Sequence, residues 1–182
     1  MTNIARDDSY ALYNDFDSIS YKCIKYLMEN DEMVWKLLRY NTPDAWNRTD
    51  LTSAEKAALI YDGSDNTALF RVFLDQGQPE VQTGEVSIIR ILPYSLNSDN
   101  RVVGNLLVMF EVYSNYHINH LDNYKTRTDM IVQRFLQVFN GATIAGIGKM
   151  HLDTMGTFGT RSELGGQLPF RGRWLLLGNK MA

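Results

Sequence analysis

The order of patterns along the chain predicts an α+β fold, with helices first and then a mostly antiparallel sheet whose long β-hairpin is packed by one central helix. Three observations carry this. Apolar residues recur at helical spacing through the first third, β-branched and aromatic runs broken by turn residues follow, and one long amphipathic stretch interrupts the strands. With 182 residues and 45% hydrophobic content, the chain has apolar material for one continuous core. Residues 1–182 are therefore expected to form a single domain, 1–66 its helical part and 67–182 its sheet and central helix.

The first helix is expected over Asp17 to Asn30, where Ile19, Cys23, Ile24 and Leu27 share one stripe behind Asp15, Asp17 and Ser18 as candidate caps. A second follows, capped by Asp31, with Met33, Val34, Leu37 and Leu38 as its stripe. Asn41-Thr42-Pro43-Asp44 ends it, because a residue before proline disfavours helical backbone. A third starts at Thr52, whose spacing to Glu55 is that of a capping box ahead of Ala57, Ala58, Leu59 and Ile60.

The turn cluster Asp62-Gly63-Ser64-Asp65-Asn66 marks the change to strands. Thr67 to Asp75 reads as a strand by alternation. Val86 to Leu96 and Arg101 to Tyr116 read as two long strands around a turn at Asn97-Ser98-Asp99-Asn100. Pro93 cannot donate to a ladder and predicts an edge position or a bulge. The second long strand would span roughly 50 Å, so the hairpin is expected to project or to pair with a neighbour. The central helix is expected from Asp122 to Asn140, with Ile131, Phe135 and Val138 on its buried face, Asp122 or Asn123 as cap and Gly141 as its left-handed stop. Two last strands, near Gly146–Leu152 and Phe170–Leu177, enclose a glycine-rich segment from Asp153 to Pro169. It has no pattern of its own and reads as either a binding loop or a segment mobile until a partner arrives.

The formal charge of -3 gives no basic face for nucleic acid. Residues 1–66 carry 7 Lys/Arg against 12 Asp/Glu and residues 67–182 carry 11 against 9, an acidic and a basic part that suit head-to-tail contacts. Cys23 is the only cysteine, so an intrachain disulfide is impossible. No apolar run approaches the ~20 residues of a membrane span, and Met1 to Asp8 lacks a signal-peptide core. The expectation is a soluble protein made and kept in the cytosol, with no membrane partner.

Candidate chemistry is sparse. Gly141-Ala142-Thr143-Ile144-Ala145-Gly146-Ile147-Gly148-Lys149 resembles a phosphate loop, but Ile147 stands where lysine is needed and the run follows a helix instead of opening one. His117 and His120, with Asp122 nearby, fall short of three convergent metal ligands. His151 stands alone in a strand. Cys23 lies on an apolar helix stripe, where a thiol is an inert core residue. Asp7-Asp8 and Glu29-Asp31-Glu32 read as solvated or capping acids. No catalytic, cofactor or metal residue is assigned, and the chain is not expected to be an enzyme. A cytosolic binding module or a small enzyme with dispersed site residues is the competing reading, and would show a deep polar pocket.

Aromatics are dense at Tyr10, Tyr13, Phe16, Tyr21 and Tyr26, and again at Tyr94, Tyr113, Tyr116 and Tyr124. Tyrosines of this kind serve both cores and interfaces. Two stretches carry a resemblance: Val34-Trp35-Lys36-Leu37-Leu38-Arg39-Tyr40-Asn41-Thr42-Pro43-Asp44-Ala45-Trp46 followed by Leu51-Thr52, and Val102-Val103-Gly104-Asn105 through Tyr116-His117-Ile118-Asn119-His120-Leu121 into Asn123-Tyr124-Lys125-Thr126-Arg127. With these, residues 31–61 and 86–175 resemble tailed-bacteriophage neck proteins, and the element order is similar to the tail-terminator (tail-completion) family. The resemblance implies a virion subunit, made in the host cytoplasm, that forms a ring, usually hexameric. Such a ring caps the tail tube and joins it to the head-completion and connector proteins below the portal. DNA is then only passing cargo, and no cofactor is needed. Three helices before the first strand are outside the compact tail-terminator pattern, and the alternative within the neck is a head-completion or connector subunit. The hairpin and the late loop are the expected contact surfaces, through Tyr94, Arg101, Tyr113, Tyr116, Phe158, Arg161, Phe170 and Arg171.

Overall fold

A computed structural model of the chain describes residues 18–64, 69–74, 84–98, 104–158 and 170–179. The helical part opens with α1 (Ile19–Asn30), which buries Ile19, Cys23, Ile24 and Leu27 as the spacing predicts. Ser18 stands at its N-cap, though its side chain does not bond the helix's first amides. In α2 (Met33–Arg39), Trp35 joins Val34, Leu37 and Leu38 in the core. Asp31 caps this helix, its Oδ1 accepting from the Val34 amide at 2.6 Å. The Thr52–Glu55 capping box forms as expected, but its helix, α3 (Ser53–Ala57), is shorter than the apolar run suggested. Leu59 and Ile60 leave the helix because the backbone of Ile60 bridges to Val72.

The sheet, among the described residues, sets side by side β1 (Val72–Phe73), β2 (Ser87–Ser98), β3 (Gly104–Asn115), β7 (Phe170–Gly178) and β6 (His151–Phe158), in that order. Of the strand expected over Thr67 to Asp75, the described residues 69–74 form β1 (Val72–Phe73), and it is parallel to β2. Both its side chains are buried, and Phe70, Phe73 and Ile88 form a small second core with Tyr61. Burial on both sides, not alternation, is what made this stretch apolar.

The long hairpin is β2 (Ser87–Ser98) and β3 (Gly104–Asn115), in register from Ser87↔Ser114 to Ser98↔Gly104. Asn97 and Ser98 are thus strand residues, and the turn itself lies outside the described residues. The register shifts between Pro93 and Ser95, the predicted bulge. Ile89 donates its amide outward to Arg71 O at 2.8 Å. Two-residue alternation then points the missing N–H of Pro93 to the same, otherwise unpaired side. Among the described residues the hairpin is built into the sheet, with β3 lying between β2 and β7.

The central helix α4 (Arg127–Phe139) begins later than the apparent caps at Asp122 and Asn123 suggested, its cap being Thr126. Leu121 to Lys125 form a turn closed by the Leu121 amide on Lys125 O at 3.0 Å. Tyr124 within it has a φ of 63°, so the helix cannot start there. Thr126 is the cap, accepting from the Asp129 amide. Ile131, Phe135 and Phe139 make the buried stripe, with Val138 partly buried beside it. Gly141, at φ 88°, stops the helix as predicted.

The glycine-rich run after it folds into a small hairpin, β4 (Thr143–Ile144) with β5 (Gly148–Lys149). The pattern-free segment expected from Asp153 is partly a strand, β6 (His151–Phe158), which pairs with β7 (Phe170–Gly178). Most of β6 is exposed because it lies at the sheet's edge, so no apolar alternation marked it.

Helices cover one face of the sheet. Ile89, Ile91, Val108, Phe110, Val112, Leu175 and Leu177 pack there with the helical stripes, and the Phe110 ring lies 5.3 Å from Phe135 and 4.7 Å from Phe139.

Candidate interaction cleft at the end of the sheet

The opposite face carries aromatic rings laid over glycines. Register places Phe158 across from Gly172 and Gly156 across from Trp174. A Cβ on Gly172 would stand 2.8 Å from Phe158 Cδ2, and one on Gly156 would stand 2.7 Å from Trp174 Cζ2. Each glycine therefore makes room for the ring opposite it, a reciprocal arrangement that seats two large aromatics on an exposed edge. On the other flank Gly172 pairs with Tyr113, so the Tyr113 and Phe158 rings meet above it, 5.0 Å apart and 16° from parallel. Arg90 stacks over Tyr113 at 5.3 Å and pairs with Glu111 at 3.4 Å. Burial, and then the Glu111 carboxylate, push the Tyr113 phenol up to about 12.

At this end of the sheet a cleft of about 490 Å³ opens between the first turn of α4, the 3-10 turn Tyr116–Ile118, and the ends of β6 and β7. Its cationic side is Arg171, 5.7 Å over the Tyr116 ring, and Arg173, paired with Asp129 at 2.7 Å. His120 sets its ring edge-on to Tyr116 at 6.0 Å. Thr126, Thr128, Thr157 and Asn119 add hydroxyls and an amide to the wall. Asn119 is fixed by accepting the Thr128 amide at 3.1 Å.

Beneath the cleft, Arg127 is buried, with no carboxylate paired to it among the described residues. It donates to the carbonyl oxygens of Ile118, Leu37, Tyr40 and Thr42 at 3.0, 2.6, 2.7 and 3.0 Å. Burial lowers its pKa to about 10. This cation ties the end of α2 to the turn that carries Tyr116 and His120.

Of the contact residues expected from sequence, Tyr116, Phe158 and Arg171 line the cleft, and Tyr113 stacks against its rim. Phe170 is adjacent but buried, at 7% exposure. Tyr94 is exposed on the bulge of β2, some six residues and about 20 Å along the strand from the Tyr113 row. Arg101 and Arg161 lie outside the described residues. Sequence reasoning missed Arg173, Asp129, Thr157 and the two glycines under the rings. The alternation Arg171-Gly172-Arg173-Trp174 carried a usable signal, since it puts both arginines on one face of a strand.

The remaining candidates for chemistry have structural neighbours. Cys23 is buried, and burial pushes its thiol up to about 12. Asp122 accepts from the Trp46 indole at 2.5 Å. Among the described residues, no group of three or more His, Cys, Asp or Glu side chains converges as a metal site, and no helix is long and apolar enough to cross a membrane.

A helical layer on one face of a mostly antiparallel sheet, with an open cationic and aromatic cleft at the sheet's end, defines an α+β protein with a groove on its surface. The family model of YomW matches residues 31–163, well over half of the chain, and the chain belongs to the YomW family. The family takes its name from a Bacillus phage, and the chain is accordingly a phage-related protein. No curated protein matches it.

Proposed function

We propose that this protein is a non-enzymatic structural subunit of the phage neck, assembling into a ring that terminates the tail tube and joins the tail to the head-connector complex. The observation that carries the reading is the gathering of Tyr113, Tyr116, Phe158 and Arg171 at one open end of the sheet in a phage-related chain. Aromatics with polar tips and arginines are the residues enriched where proteins meet proteins. Within this reading the partners are further copies of the chain, the tail tube protein, and head-completion proteins below the portal. DNA passes through the ring as cargo, and an acidic to neutral subunit would not retain it. The protein would be made in the host cytoplasm and end in the virion.

A second reading, a head-completion or connector subunit one ring higher in the same neck, is favoured by the helical layer of residues 19–57, which is built into the main core. The mass of the purified protein in solution, followed by negative-stain imaging alone and with tail tubes, tests both. Closed rings that seat on tube ends support the terminator. Rings that ignore tubes but bind connectors favour the second reading. A monomer indifferent to both removes the neck assignment.

A further inference from the structure

We propose that Tyr124 is a knob which one copy of this chain inserts into a hole between α1 and the β4–β5 hairpin of the next copy. This inference rests on the reading of the protein as a self-assembling subunit and names a contact by which one copy holds another.

Backbone geometry sets the knob. Tyr124 is fully exposed, and its φ of 63° is one that residues with a side chain rarely adopt. Its turn is nonetheless well tied down. The bridge His120↔Thr126 closes it, the Tyr124 amide bonds Leu121 O at 3.3 Å, and the Asp122 amide bonds Pro43 O at 3.2 Å. The Asp122 carboxylate accepts the Trp46 indole N–H, and Asn123 Oδ1 accepts the Lys125 amide at 3.2 Å. These bonds hold a strained backbone in place, and its effect is to aim one aromatic ring into solvent. A tyrosine on a pre-ordered turn loses little conformational freedom when it is buried by a partner.

The hole is a cavity of about 270 Å³, with the Tyr26 ring, Ile144 and Ala145 as its apolar wall and Lys22, Lys25 and Glu29 around them. That volume is below the ~300–1,000 Å³ typical of small-molecule pockets and suits one inserted side chain. The larger hollow between α1 and the start of α3 has the Lys56–Glu32 ion pair in its wall, at 2.5 Å, and suits an aromatic ring less well.

The charges around the two surfaces match. Asp122 and Lys125, both exposed, flank Tyr124, and Lys25 and Glu29, both exposed, flank the hole. Two exchanged pairs, Asp122 with Lys25 and Lys125 with Glu29, would orient the inserted ring.

Position decides that knob and hole belong to different copies. Tyr124 precedes α4, whereas Tyr26 lies 5.9 Å from Phe139 at the end of that helix. With 13 residues in α4, the two are about 20 Å apart along it. The bonded turn cannot carry Tyr124 that far within its own subunit. A knob at one end and its hole at the other make a heterologous contact, the kind that closes into rings or runs on as filaments. His120 and Thr126, which close the turn, also line the cleft, so knob and cleft share one end of the subunit.

The test is a concentration series of the full-length protein by sedimentation velocity, wild type against Tyr124→Gly. Glycine removes the ring and adopts the positive φ freely, so the variant should melt no lower than wild type. Its self-association should nevertheless weaken at least about thirtyfold, the scale of losing one buried aromatic anchor. Ala145→Trp, which plugs the hole from an exposed position in the hairpin turn, should weaken it as much. Tyr21→Ala, which removes a tyrosine 61% exposed on α1, should leave it unchanged. A Tyr124→Cys chain mixed with an Ala145→Cys chain under oxidised glutathione should give a covalent heterodimer, Cys23 being buried. Tyr124→Gly assembling like wild type overturns the proposal, and so does a heterodimer no stronger than that of Tyr124→Cys with Tyr21→Cys. A wild type that stays monomeric at every concentration removes both this contact and the self-assembling reading. Rings in negative stain without the cross-link sink this contact alone, whereas a cross-link with open filaments keeps the contact and removes ring closure.

Discussion

Asp31 and Arg134, 103 positions apart, are joined by a bond of 2.6 Å from Nε of the arginine to Oδ2 of the carboxylate. The Asp31 side chain is wholly buried, and its other oxygen caps α2. One carboxylate thus fixes the junction between α1 and α2 and docks both onto α4.

Replacing Asp31 with alanine should cost about 2–4 kcal/mol, since it removes a helix cap and leaves a half-exposed arginine without its partner. Arg134→Ala should cost a similar amount, by stranding a buried carboxylate. Urea unfolding of the two single variants and the double variant checks this. A double variant no worse than either single one is the expected coupling, and full additivity would refute it.

Arg127→Ala should be among the most damaging substitutions in the chain, at about 3–5 kcal/mol. Four carbonyl oxygens, those of Ile118, Leu37, Tyr40 and Thr42, lose their donor at once. Arg127→Lys should recover only part of this, because an ammonium cannot span acceptors placed around a planar fork. Thermal unfolding of both variants gives the order.

Gly172→Ala should destabilise by about 1–3 kcal/mol, because the new methyl would meet Phe158 and break its stack on Tyr113. The near-ultraviolet circular dichroism of Tyr113 should weaken with it. Phe158→Ala in the same chain should relieve the clash, so that the double variant costs less than the sum of the two.

Stability should fall at high pH. The folded pKa values of Cys23 and Tyr113 both rise to about 12, from 9.0 for the thiol and 10.0 for the phenol. The unfolded chain therefore releases these protons first, and folding is favoured fully below pH 9 and progressively less from about 9 to 12. Cys23→Ala and Tyr113→Phe should each flatten part of that slope in pH-dependent denaturation. A thiol reagent should leave Cys23 untouched until the chain unfolds.

Elements whose signals are local were legible in the sequence. The stripe of α1, the Asp31 cap, the Thr52–Glu55 capping box, the Gly141 stop and the Pro93 bulge each depend on residues within one or two turns or on one residue's backbone chemistry. Local rules failed where a distant partner intervened. Asp122 looks like a helix cap, but its carboxylate is taken by Trp46, 76 positions away, and the cap falls to Thr126. β6 has no alternation because only its pairing with β7 makes it a strand.

What the sequence determined by itself was the α+β order, the helical part and the central hairpin, because periodicity and turn chemistry act over a few residues. Tertiary structure alone decided that β3 would lie mid-sheet, that two glycines would each seat a ring, and that Tyr116, His120 and Asp129 would meet Arg171 and Arg173 across a cleft. Those groups lie far apart in the chain, from Asp129 and Arg171 to Tyr116 and Arg173, and only strand register and helix docking, set by burial over the whole core, bring them to one place.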